Sequence, residues 1–403
     1  MTRLTADRRP VIAGLGLTEM GPVYGRTAAS FAAEAVRLAV ADAGLTLEDV
    51  DGLLTSNGIS GGVGLGLQRD LGLFDLRLLS EMQGFGSTAA SMVQFAAMAV
   101  QSGMAEVVAC VFADAPLRSG RSAGDVYGSG PRAGSGGDRA VATPPPSGWG
   151  GLLRATGVVG ANTMYALAAR RHILRYGTTT EDFGAIAVAQ RAWAVANPHA
   201  QMRQPITLED HRQSRWIAAP FRKLDCCLVS NGGVCVVVTT EARCRSLAQP
   251  PVHVLGWAQC HPGHLFDRDP NFGLVTGAAR SGPEALGMAG VSIDDIEVAE
   301  LYDCYTYTVL VSLEDYGFCP KGEGGSFVSS GAIGPAGKLK LNTGGGQLSS
   351  YYMWGMTPLS EAVIQVRGQG GDRQVHPHDL ALVSGNGGVL DHHATLIFGS
   401  SRS

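Results

Sequence analysis

Short apolar runs alternate with helically spaced apolar residues along the first part of the chain. The runs Val11 to Gly16, Asp51 to Thr55 and Glu106 to Ala113 predict buried strands. Apolar residues recur at helical spacing from Ala28 to Ala43 and from Gly86 to Gln101, which predicts helices between those strands. This alternation predicts right-handed βαβ crossovers and a mainly parallel sheet.

The pattern breaks off from about residue 115 to residue 160, where Gly, Ser and Pro dominate. A connection this long inside a compact protein is usually functional or disordered. Helical spacing returns over 162–176 and 180–196, and an apolar run over 233–240 predicts another buried strand. A Pro-containing stretch at 249–251 then indicates a linker.

A short repeat relates two distant parts of the chain. Residues 41–50 (ADAGLTLEDV) match residues 287–296 (GMAGVSIDDI) in the order of small, apolar, hydroxyl and acidic positions. The hydroxyls of Thr46 and Ser292 are predicted to cap a short helical turn that begins with acids. Because both copies precede equivalent strands, the chain is interpreted as two copies of one α/β unit.

Composition agrees with two fused halves and excludes several classes of protein. The chain has 403 residues, 45% hydrophobic and 16% charged, and we place an N-terminal half at 1–248 and a C-terminal half at 249–403. A net charge of -4 offers no basic footprint for nucleic acid. The N-terminus lacks the apolar region of a signal peptide, and no apolar run approaches the roughly 18 residues of a membrane span. We therefore expect a cytoplasmic protein.

The cysteines and histidines do not form a recognisable metal motif. None of the 8 cysteines belongs to a CxxC pair, so most are expected to be buried thiols. Two histidine pairs stand out, His261 with His264 and His392 with His393. A protein metal site normally has three or four ligands, and no third ligand is evident for either pair. No metal is predicted for this chain.

Several segments together resemble the thiolase superfamily, nearest its sterol-carrier-protein thiolase branch. They are EMQGFGSTAASMVQFAAMAVQSG, FRKLDCCLVSNGGVCVVVTTEA, VAELYDCYTYTVLVSLEDYGFCPKG and LNTGGGQLSSYYMWGMTP. The resemblance implies a thiolase fold, in which two βαβαβ halves form layers in the order α-β-α-β-α. It also implies dimerisation through the N-terminal halves and acyl-CoA chemistry at their junction with the C-terminal halves.

The same segments depart from the thiolase pattern at the catalytic positions. Gln83 stands where the resemblance places the nucleophilic cysteine, and Tyr302 and Tyr352 stand where it places two histidines. The second family cysteine aligns with Val383, or with Ser384 if the register slips by one. Claisen chemistry needs a thiolate to hold the acyl group. Acyl transfer by the thiolase mechanism is therefore not expected.

Two tyrosines at former catalytic positions favour acid–base chemistry. A phenol can donate or accept a proton, and its reference pKa is about 10. Tyr302 and Tyr352 are therefore predicted as the catalytic pair of a retro-aldol reaction on a β-hydroxyacyl-CoA. That reaction breaks a Cα–Cβ bond without a covalent acyl-enzyme.

Neighbouring side chains leave alternatives open. Asp303 either tunes the pKa of Tyr302 or braces a turn. Tyr351 replaces Tyr352 as the site residue if the register shifts by one position. Tyr305 and Tyr307 are interpreted as packing residues or substrate wall.

Other residues of these motifs are predicted to support the site. Gln83 either hydrogen-bonds the substrate or fills the space of the missing cysteine. Asn342, Gly345 and Gly346 are predicted to form a tight loop that brings the backbone near the substrate, and Gly387 repeats that logic.

The segments YDCYTYTV and SSYYMWG are similar to those of the bacterial steroid side-chain aldolases, thiolase-like proteins of the lipid-transfer-protein type. This resemblance implies a 17-hydroxy steroid C22 side-chain CoA ester as substrate, and a 17-ketosteroid and propionyl-CoA as products. It also implies a heterotetramer with a small partner that has an OB-fold and a zinc ribbon. The zinc then belongs to the partner, and this chain binds no cofactor of its own.

Two other functions stay open. One is a non-catalytic subunit that holds lipid, acyl-CoA or a partner enzyme. The other is a degradative thiolase with a displaced nucleophile, for which Cys304 is the nearest candidate.

Overall fold

The computed structural model describes residues 8–121, 155–158, 160–244, 246–263 and 270–400. Most of the Gly/Pro-rich stretch lies outside these residues, so its prediction as a long loop stays a prediction. The strands in chain order are β1 (Pro10–Leu17), β2 (Gly52–Asn57), β3 (Leu78–Glu81), β4 (Val107–Asp114), β5 (Trp216–Ala218), β6 (Phe221–Arg222), β7 (Gly232–Thr240), β8 (Val252–Cys260), β9 (Val298–Leu301), β10 (Lys340–Leu341), β11 (Leu380–Gly387) and β12 (His392–Gly399). The α-helices are α1 (Ala28–Asp42), α2 (Leu67–Leu71), α3 (Thr88–Ser102), α4 (Gly160–Tyr176), α5 (Thr180–Ala194), α6 (Leu208–Gln213), α7 (Glu241–Cys244), α8 (Ala278–Ala289), α9 (Thr306–Tyr316), α10 (Gly324–Ser329), α11 (Gly346–Ser349) and α12 (Met356–Val366).

The main sheet joins the strands of both halves. Its order over the described residues is β10-β9-β11-β12-β8-β1-β7-β4-β2-β3. The halves meet where β1 pairs antiparallel with β8, with Val11 opposite His253 and Ile12 opposite Val252. The order of strands on one side of this seam therefore repeats on the other side.

In each half, one strand of the sheet runs against the others. In the N-terminal half, β1, β4, β2 and β3 share one direction, and β7 lies antiparallel between β1 and β4. In the C-terminal half, β12 lies in the same way between β8 and β11. Helical crossovers connect strands that share a direction. The main sheet is therefore mixed, and the predicted parallel arrangement holds only for the four strands of each half that share a direction.

The helices and the strands of the two halves form layers. Helices α3 and α12 contact strands of both halves and lie between them. Both are buried along most of their length, because small and apolar residues such as those of TAASMVQFAAMAVQS in α3 occupy almost every side. Helix α1 covers the outer face of the N-terminal half, and α8 covers that of the C-terminal half. This is the predicted α-β-α-β-α layering.

Glycines allow the outer helices to approach the sheet closely in both halves. A Cβ atom on Gly14 of β1 would lie 2.1 Å from the carbonyl oxygen of Ala39 in α1. A Cβ atom on Gly256 of β8 would lie 2.2 Å from the carbonyl oxygen of Ala285 in α8. Each contact excludes any side chain at the glycine, so the two halves use the same packing device.

Thr46 and Ser292 stand at the N-cap positions of the repeated turns, and the acid three residues later is the acceptor in the observed hydrogen bonds. The backbone N–H of Thr46 donates to the Asp49 carboxylate at 2.9 Å, and that of Ser292 donates to Asp295 at 2.8 Å. The hydroxyls of the same two residues donate to the same carboxylates. Both turns precede the second strand of their half, which supports the internal repeat.

The chain passes from one half to the other between α7 and β8. The proposed boundary at residue 249 lies in this connection and stays a prediction about two units. In the part of the chain that the structure describes, no helix is both long enough and apolar enough to cross a membrane.

Candidate active site

Tyr302 lies at the carboxyl end of β9. Its backbone N–H donates to the carbonyl of Ser384 in β11 at 3.1 Å. Its own carbonyl accepts a hydrogen bond from the hydroxyl of Thr308 in α9 at 3.1 Å. The residue is 4% exposed. A strand end and the first turn of a helix therefore hold Tyr302 in a buried position.

Tyr352 lies in the segment between α11 and α12. Its hydroxyl oxygen is 3.3 Å from that of Tyr302. Its backbone N–H donates to Oγ of Ser230 at 2.9 Å, and its side chain is half-buried. The structure thus brings together the two phenols that the motifs singled out, with Tyr352 closer to solvent.

The ring of Tyr302 lies directly over Gly86. A Cβ atom on Gly86 would lie 2.2 Å from Cζ of Tyr302 and 2.1 Å from the carbonyl oxygen of Asn386. No side chain fits at Gly86 without displacing one of these groups. The segment that precedes α3 therefore serves as a backbone wall for the tyrosine.

Three further glycines bring other elements against the same segment. A Cβ atom on Gly355 would lie 2.3 Å from the carbonyl oxygen of Gly86, and one on Gly385 would lie 2.9 Å from it. A Cβ atom on Gly387 would lie 2.2 Å from the carbonyl oxygen of Gly84. Gly387 thus lets β11 approach the loop at Gly84 closely, and its approach to the substrate stays a prediction.

Asp303 is fully buried beside Tyr302 and binds the start of α11. Its carboxylate oxygens accept from the backbone N–H of Gln347 at 2.9 Å and of Leu348 at 3.2 Å. Burial raises the pKa of Asp303 to about 7, although these backbone donors lower it. Of the two roles left open by the sequence, these contacts match the bracing role.

The loop that precedes Tyr352 has the tight geometry predicted for it. Asn342 has a φ of 50°, and its side-chain oxygen accepts from the backbone N–H of Leu301 at 2.7 Å. Gly345 and Gly346 also have positive φ angles, of 95° and 58°. A Cβ atom on Gly346 would lie 2.1 Å from the Asp303 carboxylate. Glycine at this position therefore lets the carboxylate reach the backbone N–H groups that follow.

By the motif resemblance, Gln83 and Val383 stand at the positions of the two family thiols. Gln83 is exposed, and its side-chain oxygen accepts from the backbone N–H of Phe85 at 3.0 Å. Its amide nitrogen is 3.4 Å from the carbonyl of Asn57. Val383 is 1% exposed in β11. These contacts join Gln83 to Phe85 in its own loop and to Asn57 at the end of β2, and a contact with substrate stays a prediction.

The other tyrosines of the two motifs point elsewhere. The hydroxyl of Tyr351 is 2.8 Å from Oγ of Ser360 in α12, and Tyr351 is 3% exposed. The hydroxyl of Tyr305 donates to the side chain of Asn162 at 2.5 Å. Tyr307 is fully buried. The structure therefore pairs Tyr352, and not Tyr351, with Tyr302.

The thiols near the tyrosine pair are poor nucleophiles. Burial raises the pKa of Cys304 to about 12, so the thiolate that a thiolase requires is scarce at neutral pH. Burial also raises the pKa of Cys227 well above its usual value, while a hydrogen bond from Tyr352 lowers it. Neither environment is that of an activated cysteine.

His261 and His393 have hydrogen-bond partners other than Tyr302 and Tyr352. Nδ1 of His261 is 3.1 Å from Nδ1 of His392. Nε2 of His393 is 3.0 Å from Oγ of Ser384, and burial lowers the pKa of His393 to about 3. Within the described ranges, no group of three or more potential ligands could hold a metal ion. His264, the partner of His261 in the HxxH pair, lies outside those ranges.

Four residues near the tyrosines were not identified from the sequence. Ser230 and Cys227 contact Tyr352 from the segment that closes the N-terminal half. Phe85 and Trp354, each with a positive φ angle, have ring centroids 6.0 Å apart. The quoted motif FRKLDCCLVSNGG contains both Ser230 and Cys227, but only the folded chain brings it against Tyr352.

Comparison with known proteins places these motifs in a family. The family described as thiolase C-terminal domain-like matches residues 258–400. The steroid side-chain-cleaving aldolase of Thermomonospora curvata is 38% identical over 408 residues, which cover 97% of this chain and 98% of that protein. The 17-hydroxy-3-oxo-4-pregnene-20-carboxyl-CoA lyase of Mycobacterium tuberculosis is 38% identical over 370 residues, which cover 89% of this chain and 91% of that protein.

A solved structure agrees with these relatives. A chain of the structure titled Ltp2-ChsH2(DUF35) aldolase superposes with a TM-score of 0.83 at 35% identity. The match covers 99% of this chain and 100% of that chain. The fold class and the resemblance predicted from the motifs are both confirmed.

Proposed function

This chain belongs to the thiolase-like family of steroid side-chain-cleaving aldolases, and from that premise we propose its substrate and mechanism. The substrate is a 17-hydroxy steroid with a C22 side-chain CoA ester, and the products are a 17-ketosteroid and propionyl-CoA. The reaction is a retro-aldol cleavage without a covalent acyl-enzyme. The names of two relatives that align over most of the chain support this choice of substrate class.

The observation that carries the mechanism is the 3.3 Å separation between the hydroxyl oxygens of Tyr302 and Tyr352. Two phenols this close can pass a proton between them when the contact shortens, and either can hydrogen-bond a substrate hydroxyl that lies beside the pair. The pair occupies the junction between the two halves, beside the backbone wall at Gly86. The geometry therefore suits acid–base chemistry.

The proposed reaction starts when one tyrosine, as the phenolate, takes the proton of the β-hydroxyl group. The Cα–Cβ bond breaks, Cβ becomes the ketone carbon, and the bonding electron pair passes into the thioester as an enolate. The tyrosine pair then returns a proton to Cα, which gives propionyl-CoA. No water, electron or proton is gained or lost overall.

The local thiols support a mechanism without an acyl-enzyme. Gln83 cannot act as the nucleophile of a thioester exchange, because an amide forms no such intermediate. Burial raises the pKa of Cys304 to about 12, which disfavours a displaced nucleophile at that position. A degradative thiolase is therefore the less supported alternative.

Several residues are proposed to support the pair without touching the breaking bond. Asp303, Asn342 and the glycines Gly345 and Gly346 hold the loop that leads to Tyr352. Gly387 keeps β11 in contact with the loop that contains Gln83. We assign Gln83 to the mouth of the site, where its exposed amide can meet the thioester.

We further propose a homodimer that forms through the N-terminal half. β3 lies at the end of the described sheet, and the nearby Phe74 is 83% exposed. An open strand edge with exposed apolar residues is typical of an interface. The structural relative whose match covers 99% of this chain is named Ltp2-ChsH2(DUF35) aldolase, and that name includes a second component, ChsH2(DUF35). We expect a corresponding small partner with an OB-fold and a zinc ribbon, and a heterotetramer in which the zinc belongs to the partner.

The test is to purify the chain together with such a partner and supply the 17-hydroxy C22 CoA ester. Propionyl-CoA and the 17-ketosteroid are expected in equal amounts, measured by liquid chromatography with mass spectrometry. The matched control is the 17-deoxy ester, which has no hydroxyl proton to remove and should give no product. Tight binding of the hydroxy ester without any cleavage would instead indicate a non-catalytic subunit.

The absence of an acyl-enzyme has its own test. The complex is quenched with acid during turnover, and the mass of the intact chain is measured. We expect the unmodified mass throughout. A gain in mass equal to a propionyl group on any cysteine would contradict the proposed mechanism.

A further inference from the structure

The segment that carries Tyr352 belongs to the C-terminal half but is bound by the N-terminal half. Backbone N–H groups of the N-terminal half donate to carbonyls of this segment at about the ideal length. The contacts are Gln201 to Ser350 at 3.0 Å, Met202 to Ser349 at 3.0 Å and Leu228 to Gln347 at 2.9 Å. The position of Tyr352 therefore depends on how the two halves are docked.

Ser230, also in the N-terminal half, makes a further contact with this segment, at Tyr352 itself. Its hydroxyl oxygen accepts from the backbone N–H of Tyr352 at 2.9 Å and from the side-chain amide of Gln201 at 2.6 Å. Ser230 is 1% exposed. A buried hydroxyl that accepts two hydrogen bonds is held in one orientation, so it can fix the backbone of its partner.

Cys227 reaches the same tyrosine from three residues earlier. Its backbone N–H donates to the carbonyl of Cys304 at 3.0 Å, next to the segment that carries Tyr302. Its thiol is a hydrogen-bond partner of the Tyr352 side chain. Residues 227–230 therefore touch Tyr352 both at its backbone and at its phenol.

We propose that Ser230 and Cys227 are positioning residues that set the distance between the hydroxyls of Tyr302 and Tyr352. This inference rests on the proposed role of the two tyrosines as the acid–base pair. Neither residue is assigned to the chemistry itself. They act through Tyr352, from the opposite half of the molecule.

The separation of the two hydroxyl oxygens makes proton sharing sensitive to the position of Tyr352. Hydrogen bonds between hydroxyl groups are usually about 2.5–3.0 Å long, and the observed separation is 3.3 Å. Catalytic contacts of this kind often shorten only when substrate is bound. A displacement of a few tenths of an ångström at Tyr352 therefore decides whether the pair can share a proton.

The test compares Ser230→Ala, Cys227→Ala and the control Ser326→Ala in the intact complex with its partner. Ser326 is an exposed serine whose hydroxyl bonds to a carbonyl of its own helix turn. For Ser230→Ala we expect kcat to fall by about tenfold with KM within about twofold, because geometry and not binding is lost. For Cys227→Ala we expect a fall of about threefold. Ser326→Ala should match the wild type.

The pH profile separates positioning from general damage. A neighbouring O–H that donates to a phenolate favours the ionised form. In Ser230→Ala the displaced Tyr352 should lose the hydroxyl of Tyr302 as its donor, so the ascending limb of the profile of kcat against pH should shift to higher pH. A variant that is only less well folded would show a lower rate with an unshifted limb, and that result would overturn the inference.

A double-mutant cycle completes the test. If Ser230 acts through the phenol of Tyr352, Ser230→Ala should cost much less in a Tyr352→Phe background than in the wild type. Full additivity of the two losses would contradict the inference. If Ser230→Ala does not fold, Cys227→Ala is judged by the same limb shift and the same cycle. A wild-type complex that cleaves no ester would count against the proposed function instead.

Discussion

The two halves present equivalent loops to the active site, and these loops differ in how they are held. In the N-terminal half the loop between β3 and α3 contains Gln83, which is exposed and contacts Phe85 of the same loop and Asn57 at the end of β2. In the C-terminal half the loop between β10 and α12 is buried and is bound through the Asp303 carboxylate. Tyr352 belongs to this second loop.

The difference shows that two loops in equivalent positions can contribute different groups to the candidate site. The N-terminal loop contributes backbone, because Gly86 lies against the ring of Tyr302. The C-terminal loop contributes a side chain that must be placed accurately, and it is surrounded by hydrogen bonds from both halves. In the proposed mechanism the two phenols do the chemistry, and the N-terminal loop contributes a surface and no reacting group.

The largest effect should come from removing either phenol. Tyr302→Phe and Tyr352→Phe are each expected to lower kcat by about 100-fold or more, since general acid–base catalysis is lost. Tyr351→Phe is the matched control, because its hydroxyl contacts Ser360 and not the pair. Rates are measured as propionyl-CoA release. A Tyr352→Phe enzyme that keeps the wild-type rate would remove Tyr352 from the mechanism.

The next effect should come from Gly86→Ala in the N-terminal loop. Its new Cβ would lie 2.2 Å from Cζ of Tyr302, so the ring or the loop must move. We expect a loss of roughly tenfold or more in kcat and a destabilisation of about 1–3 kcal/mol. Gly287→Ala is the control, because nothing lies within 4 Å of its new Cβ. If the two variants have equal kcat values and equal free energies of unfolding in urea, the close contact between Gly86 and Tyr302 is not needed.

Asp303→Asn should disturb the C-terminal loop and also change the pH dependence of stability. Asparagine offers one acceptor oxygen in place of two to the backbone N–H groups of Gln347 and Leu348. We expect a loss of about tenfold in kcat. Rates close to that of the wild type would show that the bracing contacts do not place Tyr352.

The pH dependence follows from the raised pKa of Asp303, which is about 7 in the folded chain. Between about pH 4 and pH 7 the folded state keeps a proton that the unfolded state releases. The contribution of this group to the free energy of unfolding is therefore full at low pH. It falls by at most about 1.4 kcal/mol per pH unit as the pH rises. Asp303→Asn should lose this slope in urea unfolding measured across the same range.

The smallest effect should come from Gln83→Ala. The side chain is exposed, and its observed contacts are with Phe85 of its own loop and Asn57 at the end of β2, so we expect a change in kcat of about threefold at most. Steady-state rates and KM for the CoA ester are the measurement. A loss above about tenfold would mean that the amide binds the thioester. The comparison between the two loops would then need revision.

The local patterns predicted most elements of the fold correctly. The apolar runs located β1, β2, β4 and β7 within about two residues, because buried strands need continuous apolar sequence. The repeated turn with its acids indicated two copies of one α/β unit. Such a turn can be recognised in the sequence because it is formed by residues that are close along the chain. The helix expected from Gly86 begins at Thr88, because residues 85–87 form a 3-10 turn against the tyrosine.

By itself, the sequence determined the thiolase-like architecture, the absence of a thiol at Gln83 and the pair of tyrosines in the two motifs. These follow from residue type and local order. Only the tertiary structure decided that Tyr352 and not Tyr351 meets Tyr302, that Asp303 braces α11, and that Ser230 holds Tyr352 from the other half. The physical reason is that these contacts join residues from distant segments. Their distances depend on how the halves pack, and no local pattern records that.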